Sequence, residues 1–140
     1  MKNIKDIQAE IIEEFSIYED WMDKYEYLIE LGKSTPAIEE KDKTEENLIP
    51  GCQSRVWLSC RIEDGCLCFA ADSDAIITKG IISLLIRVYD GQTPSAILAA
   101  DEEFINAIGL KENLSPTRAG GLVSMIKTIK AYAAAYCTGS

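Results

Sequence analysis

Hydrophobic residues recur with the period of an amphipathic helix over the first third of the chain. Two segments, residues 3–16 and 18–31, each place their apolar side chains on a single stripe. These stripes contain Ile4, Ile7, Ile11, Ile12, Phe15, Trp21, Tyr25, Leu28 and Ile29. Acidic residues open the second segment and Gly32 follows it, so we predict two helices, the second ending at Gly32. The polar residues 33–49, interrupted by Pro36, predict a surface connection.

The period then changes to two, which is typical of β-strands. Apolar and polar side chains alternate over residues 56–62, and a second run follows over residues 66–71. The turn sequence Glu-Asp-Gly at residues 63–65 separates the two runs and predicts a hairpin. Because two strands alone are only marginally stable, we expect a third short strand near residues 48–49.

Helical signals fill the remainder of the chain. We predict helices over about 75–89, 94–100, 101–109 and 116–136, from their apolar patterns and from the pairs Thr-Pro and Ser-Pro that begin the second and the fourth. Helices, then strands, then helices are typical of the α+β class. We therefore expect one domain over residues 1–140, with helices on one face of a small antiparallel sheet of about three strands.

Composition and charge narrow the functions that this chain can serve. The 140 residues include 14 Lys and Arg against 23 Asp and Glu, for a net charge of −9. An acidic chain without a basic cluster argues against nucleic acid as the main partner and favours a protein with a complementary surface. The start of the chain is charged, unlike a secretory signal. The longest apolar region, residues 75–89, contains two cations and is shorter than the roughly 20 residues that span a bilayer, so we expect a cytoplasmic protein.

The chain has five cysteines and no histidine. An odd cysteine count without a secretion signal argues against a disulfide framework, and the absence of histidine excludes Ser-His-Asp and Cys-His catalysis. Cys52 is the most informative of the five, because it follows Gly51 on a predicted loop beside the first strand. A loop cysteine in this position can be presented to a partner as a nucleophile. The residues alone leave a second interpretation open, in which Cys52 is a small, partly buried packing residue.

Residues 51–57, with the sequence G-C-Q-S-R-V-W, resemble the active-cysteine segment of the SufE family of cysteine desulfuration proteins. The likeness continues in order along nearly the whole chain. The other matching positions are Trp21, Lys24, Tyr25, residues 29–32, residues 72–75, Lys79, Gly80, Tyr89, Asp90, Thr93, Pro94, residues 114–118, Gly121 and Leu122.

This resemblance implies a sulfur acceptor with a fold similar to that of iron–sulfur scaffold proteins. In such proteins a loop cysteine takes the outer sulfur of a persulfide from a SufS-type cysteine desulfurase, stimulates that enzyme and passes the sulfur to iron–sulfur cluster assembly. The loop is expected to tuck inward and to flip out on docking. Carried over by motif, the acceptor is Cys52. The pyridoxal phosphate cofactor belongs to the desulfurase, so we expect this chain to bind no cofactor and not to be an enzyme by itself.

The expected partners are therefore a cysteine desulfurase and a downstream iron–sulfur scaffold, and a homodimer is left open. The residues that we predict to contact the desulfurase are Gly51, Gln53, Arg55, Asp72, Asp74 and Arg118. Because there is no histidine, the Cys52 thiolate must be stabilised by Arg55, by Arg118 or by the partner, and we favour the partner. Asp74 has a second interpretation as the cap of the helix that follows it.

Three further cysteines allow an alternative function. Cys60, Cys66 and Cys68 would supply ligands for zinc or an iron–sulfur cluster if they converged, although their spacing matches no common ligand framework. Strand alternation predicts Cys60 on the inner face of the sheet, and it predicts that Cys66 and Cys68 share one face while Leu67 and Phe69 take the other. We therefore favour a packing role for all three, and metal analysis of reduced protein would distinguish the two functions.

Overall fold

The computed structural model describes residues 3–35 and 38–138, which form a mixed arrangement of α-helices around one β-hairpin. Pro36, the expected helix breaker, lies outside the described residues. The elements are α1 (Ile4–Ser16), α2 (Trp21–Lys33), β1 (Val56–Glu63), β2 (Cys66–Ser73), α3 (Ile76–Tyr89), α4 (Pro94–Ala99), α5 (Glu103–Ile108) and α6 (Pro116–Thr138). The predicted α+β class is confirmed.

Local sequence signals begin and end most of these helices. The side chains of Asn3, Asp20 and Thr93 accept backbone N–H bonds at the starts of α1, α2 and α4. Gly109 ends α5 in the left-handed conformation, as predicted. Capping side chains therefore set the starts of α1, α2 and α4, and a left-handed glycine sets the end of α5.

The predicted stop at Gly32 is wrong, because α2 continues through this glycine to Lys33. Gly32 is buried against α3, where a Cβ atom added to it would lie 3.2 Å from the backbone nitrogen of Gly80. The crossing is closer still from the other side: a Cβ atom on Gly80 would lie 2.3 Å from the backbone oxygen of Leu28. These glycines allow α2 and α3 to pack backbone against backbone.

Over the residues that the structure describes, the sheet has two strands and not three. β1 and β2 are antiparallel, with Val56 opposite Ser73 at one end and Glu63 opposite Cys66 at the other. The expected third strand is reduced to one bridge between Leu48 and Trp57. A short 3₁₀ turn ends at Asn47, and only two residues separate it from Pro50, so the intervening segment is too short to form a ladder.

One face of the hairpin packs on the helices, as predicted. The inner face supplies buried side chains to the core, and α3 passes through the centre of that core with buried residues on most sides. The inner-face residues are Val56, Leu58, Leu67, Phe69 and Ala71. Among the described residues, no helix has both the length and the apolar character that crossing a bilayer requires.

Candidate functional site

The loop that carries Cys52 is fixed at its base by backbone contacts on both sides. The N–H of Ile49 donates to the carbonyl oxygen of Val56 at 2.8 Å, which closes the loop. The N–H of Arg55 donates to Oδ1 of Asp74 at 3.1 Å, and the N–H of Asp74 donates to the carbonyl oxygen of Arg55 at 3.2 Å. Ser73 Oγ donates to the same carbonyl at 2.8 Å. The start of β1 and the end of β2 thus hold the loop together.

Asp74 is therefore not a helix cap. Ala75 precedes the first residue of α3, and no side chain caps that helix end. The Asp74 carboxylate binds the Arg55 N–H instead, because the twisted hairpin brings the two strand ends together there. The capping interpretation was wrong, and the residue instead helps to set the shape of the cysteine loop.

Cys52 lies against the final helix. Its Sγ atom is 3.7 Å from the carbonyl oxygen of Gly121, and a Cβ atom on Gly121 would lie 3.4 Å from that sulfur. The neighbouring Gly51 has a φ of 81°, and a Cβ atom there would lie 2.5 Å from Oγ of Ser124. Two glycines, one on the loop and one on α6, allow the cysteine backbone to approach the helix closely.

A small cavity of about 80 Å³ opens beside the thiol. Its wall combines the loop, the first two turns of α3 and the first three turns of α6. The lining residues besides Cys52 are Gln53, Ser54, Thr78, Ile81, Thr117, Arg118, Gly121 and Met125. The thiol is therefore half-buried at the edge of a partly polar recess.

The electrostatics keep this thiol protonated in the isolated chain. Partial burial raises the pKa of Cys52 above its ordinary value, and burial is the whole of the effect. Arg118 borders the cavity and Arg55 lies three residues from the cysteine, but both side chains are exposed and neither lowers the pKa of the thiol. The isolated fold does not itself activate Cys52 as a nucleophile.

The other predicted site residues are divided by the structure. Gly51, Gln53 and Arg118 lie around Cys52, whereas Asp72 is engaged in ion pairs of this chain. Its carboxylate lies 2.8 Å from Nζ of Lys43 and 3.3 Å from Nζ of Lys79. Partial burial alone would raise the pKa of Asp72, but hydrogen bonds from both lysines and from the backbone N–H of Ser73 outweigh it and lower that pKa.

Several residues of the cavity were not foreseen. Thr78, Ile81 and Met125 look like ordinary members of helical stripes, and nothing in their spacing marks them. Gly121 carried a signal, since a glycine inside a predicted helix has a cost that usually reflects close packing. Its packing partner, the cysteine 69 positions earlier, is determined only by the fold.

Three of the other thiols lie on the hairpin, at a distance from this cavity and on two faces of the sheet. Cys60 is two residues from the buried Leu58 and so lies on the same, helix-facing side, and burial raises its pKa to about 12. Cys66 and Cys68 share one face, as predicted; they alternate with the buried Leu67 and Phe69, so this face points away from the helices. Among the described residues, no group of three Cys, Asp or Glu side chains lies close enough together to hold a metal ion. The register thus gives no support to shared ligation by the three.

These features define a class: an α+β protein that holds a half-buried loop thiol against its last helix. The chain belongs to the SufE family, because the family model described as "Fe-S metabolism associated domain" matches residues 9–133. Membership associates this protein with iron–sulfur metabolism.

Similar proteins support the same family. A SufE-like protein of Rhizobium etli is 42% identical over 126 residues, covering 86% of this chain and 85% of its own. A SufE-like protein of Rhizobium meliloti is 40% identical over 129 residues, covering 89% of this chain and 92% of its own. Both carry the description "uncharacterized".

The fold is also similar to that of a hypothetical protein from Thermus thermophilus solved in solution. The TM-score is 0.78, with coverage of 94% of this chain and 96% of that one. Sequence identity is 21%, so this likeness concerns the fold.

Proposed function

We propose that this protein accepts sulfur on Cys52 from the persulfide of a PLP-dependent, SufS-type cysteine desulfurase, and delivers it to iron–sulfur cluster assembly. The observation that carries the proposal is the position of Cys52, on a loop with a fixed base, half-buried beside a small recess. Family membership supplies the context of iron–sulfur metabolism. We place this reaction in the cytoplasm, where thiols stay reduced.

The transfer is a thiol–persulfide exchange. The Cys52 thiolate attacks the outer sulfur of the donor persulfide, so a new S–S bond forms on Cys52 while the S–S bond of the donor breaks. The donor cysteine leaves as a thiolate and takes up a proton, and the proton of Cys52 is released before the attack. One sulfane sulfur moves and no external oxidant is needed.

The raised pKa of Cys52 supports activation by the partner. A neutral thiol is a poor nucleophile, and burial disfavours the thiolate of the isolated chain. Docking that draws the loop out of the recess would restore an ordinary pKa or a lower one. The cysteine would then react at the desulfurase and stay protected from oxidation elsewhere.

The recess supports protection of the product as well. A cavity of about 80 Å³ beside the sulfur has room for one further sulfur atom. Thr78, Thr117 and Arg118 bring hydroxyl and guanidinium donors to its wall, which suit an anionic persulfide. The returned loop would therefore hold the carried sulfur away from solvent.

The test is a reaction of the protein with desulfurase and cysteine, followed by peptide mass spectrometry and by measurement of desulfurase turnover. We expect one added sulfur, 32 mass units, on the peptide that contains Cys52, and stimulation of turnover. Cys52→Ser should lose both while remaining folded by circular dichroism. Cys137→Ser, which removes a thiol near the end of α6, is the matched control and should keep both.

If Cys52→Ser still stimulated desulfurase turnover, the proposal would be overturned. Sulfur found on another cysteine of the wild-type protein would overturn it as well. The chemistry of the donor enzyme stays the same in both variants, so a difference between them is attributable to this chain.

A further inference from the structure

A second pair of thiols lies at the far end of the hairpin, on its outer face. Cys66 is opposite Glu63 and Cys68 is opposite Arg61 in the strand register. Both cysteines are partly exposed and alternate with the buried Leu67, so their side chains share the face that points away from the core. The hairpin thus presents a C-x-C dithiol at its surface.

Polar neighbours surround this pair. Sγ of Cys68 donates to Oε2 of Glu63 at 3.9 Å, and the same carboxylate oxygen accepts a hydrogen bond from Nη1 of Arg61 at 2.6 Å. Cys68 is opposite Arg61 in the strand register, so its sulfur lies beside the ion pair of Arg61 and Glu63.

The dithiol is separate from the Cys52 site. Cys66 pairs with Glu63, seven residues along β1 from Val56, which corresponds to about 23 Å at ~3.3 Å per residue. A sulfur carried on Cys52 cannot be resolved by these thiols within one chain. The pair therefore calls for a chemistry of its own.

The spacing of the two cysteines suits a bridging atom better than a direct disulfide. Residues i and i+2 of a strand have Cα atoms about 6.6 Å apart, near the upper limit of about 6.8 Å for a disulfide. A metal ion between the sulfurs lengthens the bridge and relieves that constraint.

We propose that Cys66 and Cys68 bind one soft monovalent ion, Cu(I), as a bis-thiolate. Soft thiolates select Cu(I), which accepts two sulfur ligands in a near-linear arrangement. The two thiols release two protons, and two S–Cu bonds form with no change of oxidation state. The resulting complex carries one negative charge and lies beside Arg61, whose guanidinium also pairs with Glu63.

Zinc and iron–sulfur clusters suit this pair less well. A structural zinc site takes four ligands, and among the described residues no three Cys, Asp or Glu side chains are grouped so that they could hold a metal ion. The dithiol therefore favours an ion that is satisfied by two ligands.

The test is an anaerobic titration of the reduced protein with Cu(I) in competition with bicinchoninate. We expect one tight site in the wild-type protein. Cys66→Ser and Cys68→Ser should each lose it, because one thiolate cannot hold the ion against the competitor. Cys60→Ser and Cys52→Ser should keep it. Arg61→Gln should bind about tenfold more weakly, the scale typical of groups that support metal ligands.

Retention of the tight site in Cys66→Ser or Cys68→Ser would overturn the proposal. Its loss in Cys60→Ser, or in Cys137→Ser through a bridge between two chains, would do the same. Equal affinity for zinc would contradict the selectivity argued from two ligands. Circular dichroism of each variant separates loss of the site from loss of the fold.

Discussion

At the scale of single residues, the environment of Cys52 combines a disfavoured thiolate with partial exposure of the sulfur. Its thiol is half-buried, and its loop touches α6 at Gly121 and Ser124 without a covalent or ionic tie. The firm contacts are at the base of the loop, where Arg55 is bonded to Asp74. The hydrogen bonds that hold this loop therefore lie mainly at its base.

The raised pKa of Cys52 predicts the pH dependence of its alkylation. The folded chain should be alkylated at Cys52 more slowly than the urea-unfolded chain at neutral pH, with a midpoint above the ordinary value of 9.0. The sign follows because burial disfavours the thiolate, so a higher pH is needed to form it. Iodoacetamide labelling read by peptide mass spectrometry measures this for each cysteine separately. A folded midpoint at or below the unfolded one would contradict the burial argument.

Gly51 predicts a second effect on the same thiol. Gly51→Ala places a side chain at a φ of 81°, at a cost of about 1–2 kcal/mol, and brings its Cβ atom against Ser124. The loop should lift from α6, so Cys52 should be alkylated faster. Gly65→Ala is the control, because its φ of 79° carries the same backbone cost but nothing lies within 4 Å. Equal Cys52 labelling in the two variants would mean that contact with α6 does not shelter the thiol.

At the scale of elements, the crossing of α2 and α3 decides where the first turn of α3 lies. Gly32 and Gly80 bring the two helix backbones into direct contact. Thr78 and Ile81, which flank Gly80 on α3, form part of the wall of the Cys52 cavity. The close crossing thus positions one side of the site from a distance.

Gly80→Ala should destabilise the protein. Its Cβ atom would lie 2.3 Å from the backbone oxygen of Leu28, so the helices must separate, at a cost of about 1–3 kcal/mol typical of overpacking. Gly120→Ala is the matched helical control, because nothing lies within 4 Å, and it should stabilise the protein by about 0.5–1 kcal/mol. Urea unfolding of both variants measures the two changes in the free energy of unfolding, which should have opposite signs. A neutral Gly80→Ala would show that the crossing is loose.

At the scale of the whole molecule, one ion pair ties the N-terminal helix to the central helix. Arg87 on α3 donates from Nη1 to Oε1 of Glu14 on α1 at 2.6 Å, and from Nη2 to the other carboxylate oxygen. Tyr27 of α2 donates to the same carboxylate. Hydrogen bonding to Glu14, the largest cause, raises the pKa of Arg87, and the pair is about one-third exposed.

Glu14→Gln should lower the free energy of unfolding by about 1–3 kcal/mol, between the values typical of exposed and buried pairs. The bidentate contact is lost and Arg87 remains partly desolvated. Lys33→Gln removes an exposed pair with Glu30, whose side chains are 69% and 68% accessible, and should change stability by less than about 1 kcal/mol. Thermal and urea unfolding of both variants provide the comparison. Equal effects would mean that the pair with Arg87 behaves as a surface pair.

The sequence by itself determined the helices, the hairpin and the position of Cys52 on a loop beside β1. Apolar periods, caps and turn residues are local signals, and they describe the chain over a few residues at a time. The same locality explains the errors. Gly32 resembled a helix stop, and Asp74 resembled a cap, because no local pattern records a contact with Gly80 or Arg55. The third strand was wrongly predicted because only two residues lie between the 3₁₀ turn and Pro50, which is too few for a strand.

Only the tertiary structure decided what surrounds the thiol. It brought Gly121, Thr78 and Met125 to Cys52 from α3 and α6, and it placed Cys60 on the other face from Cys66 and Cys68. These are contacts between residues far apart in the chain, which depend on how helices cross and how strands pair. The physical reason is that burial, and with it the raised pKa of Cys52, arises from packing across the whole molecule and not from neighbours in sequence.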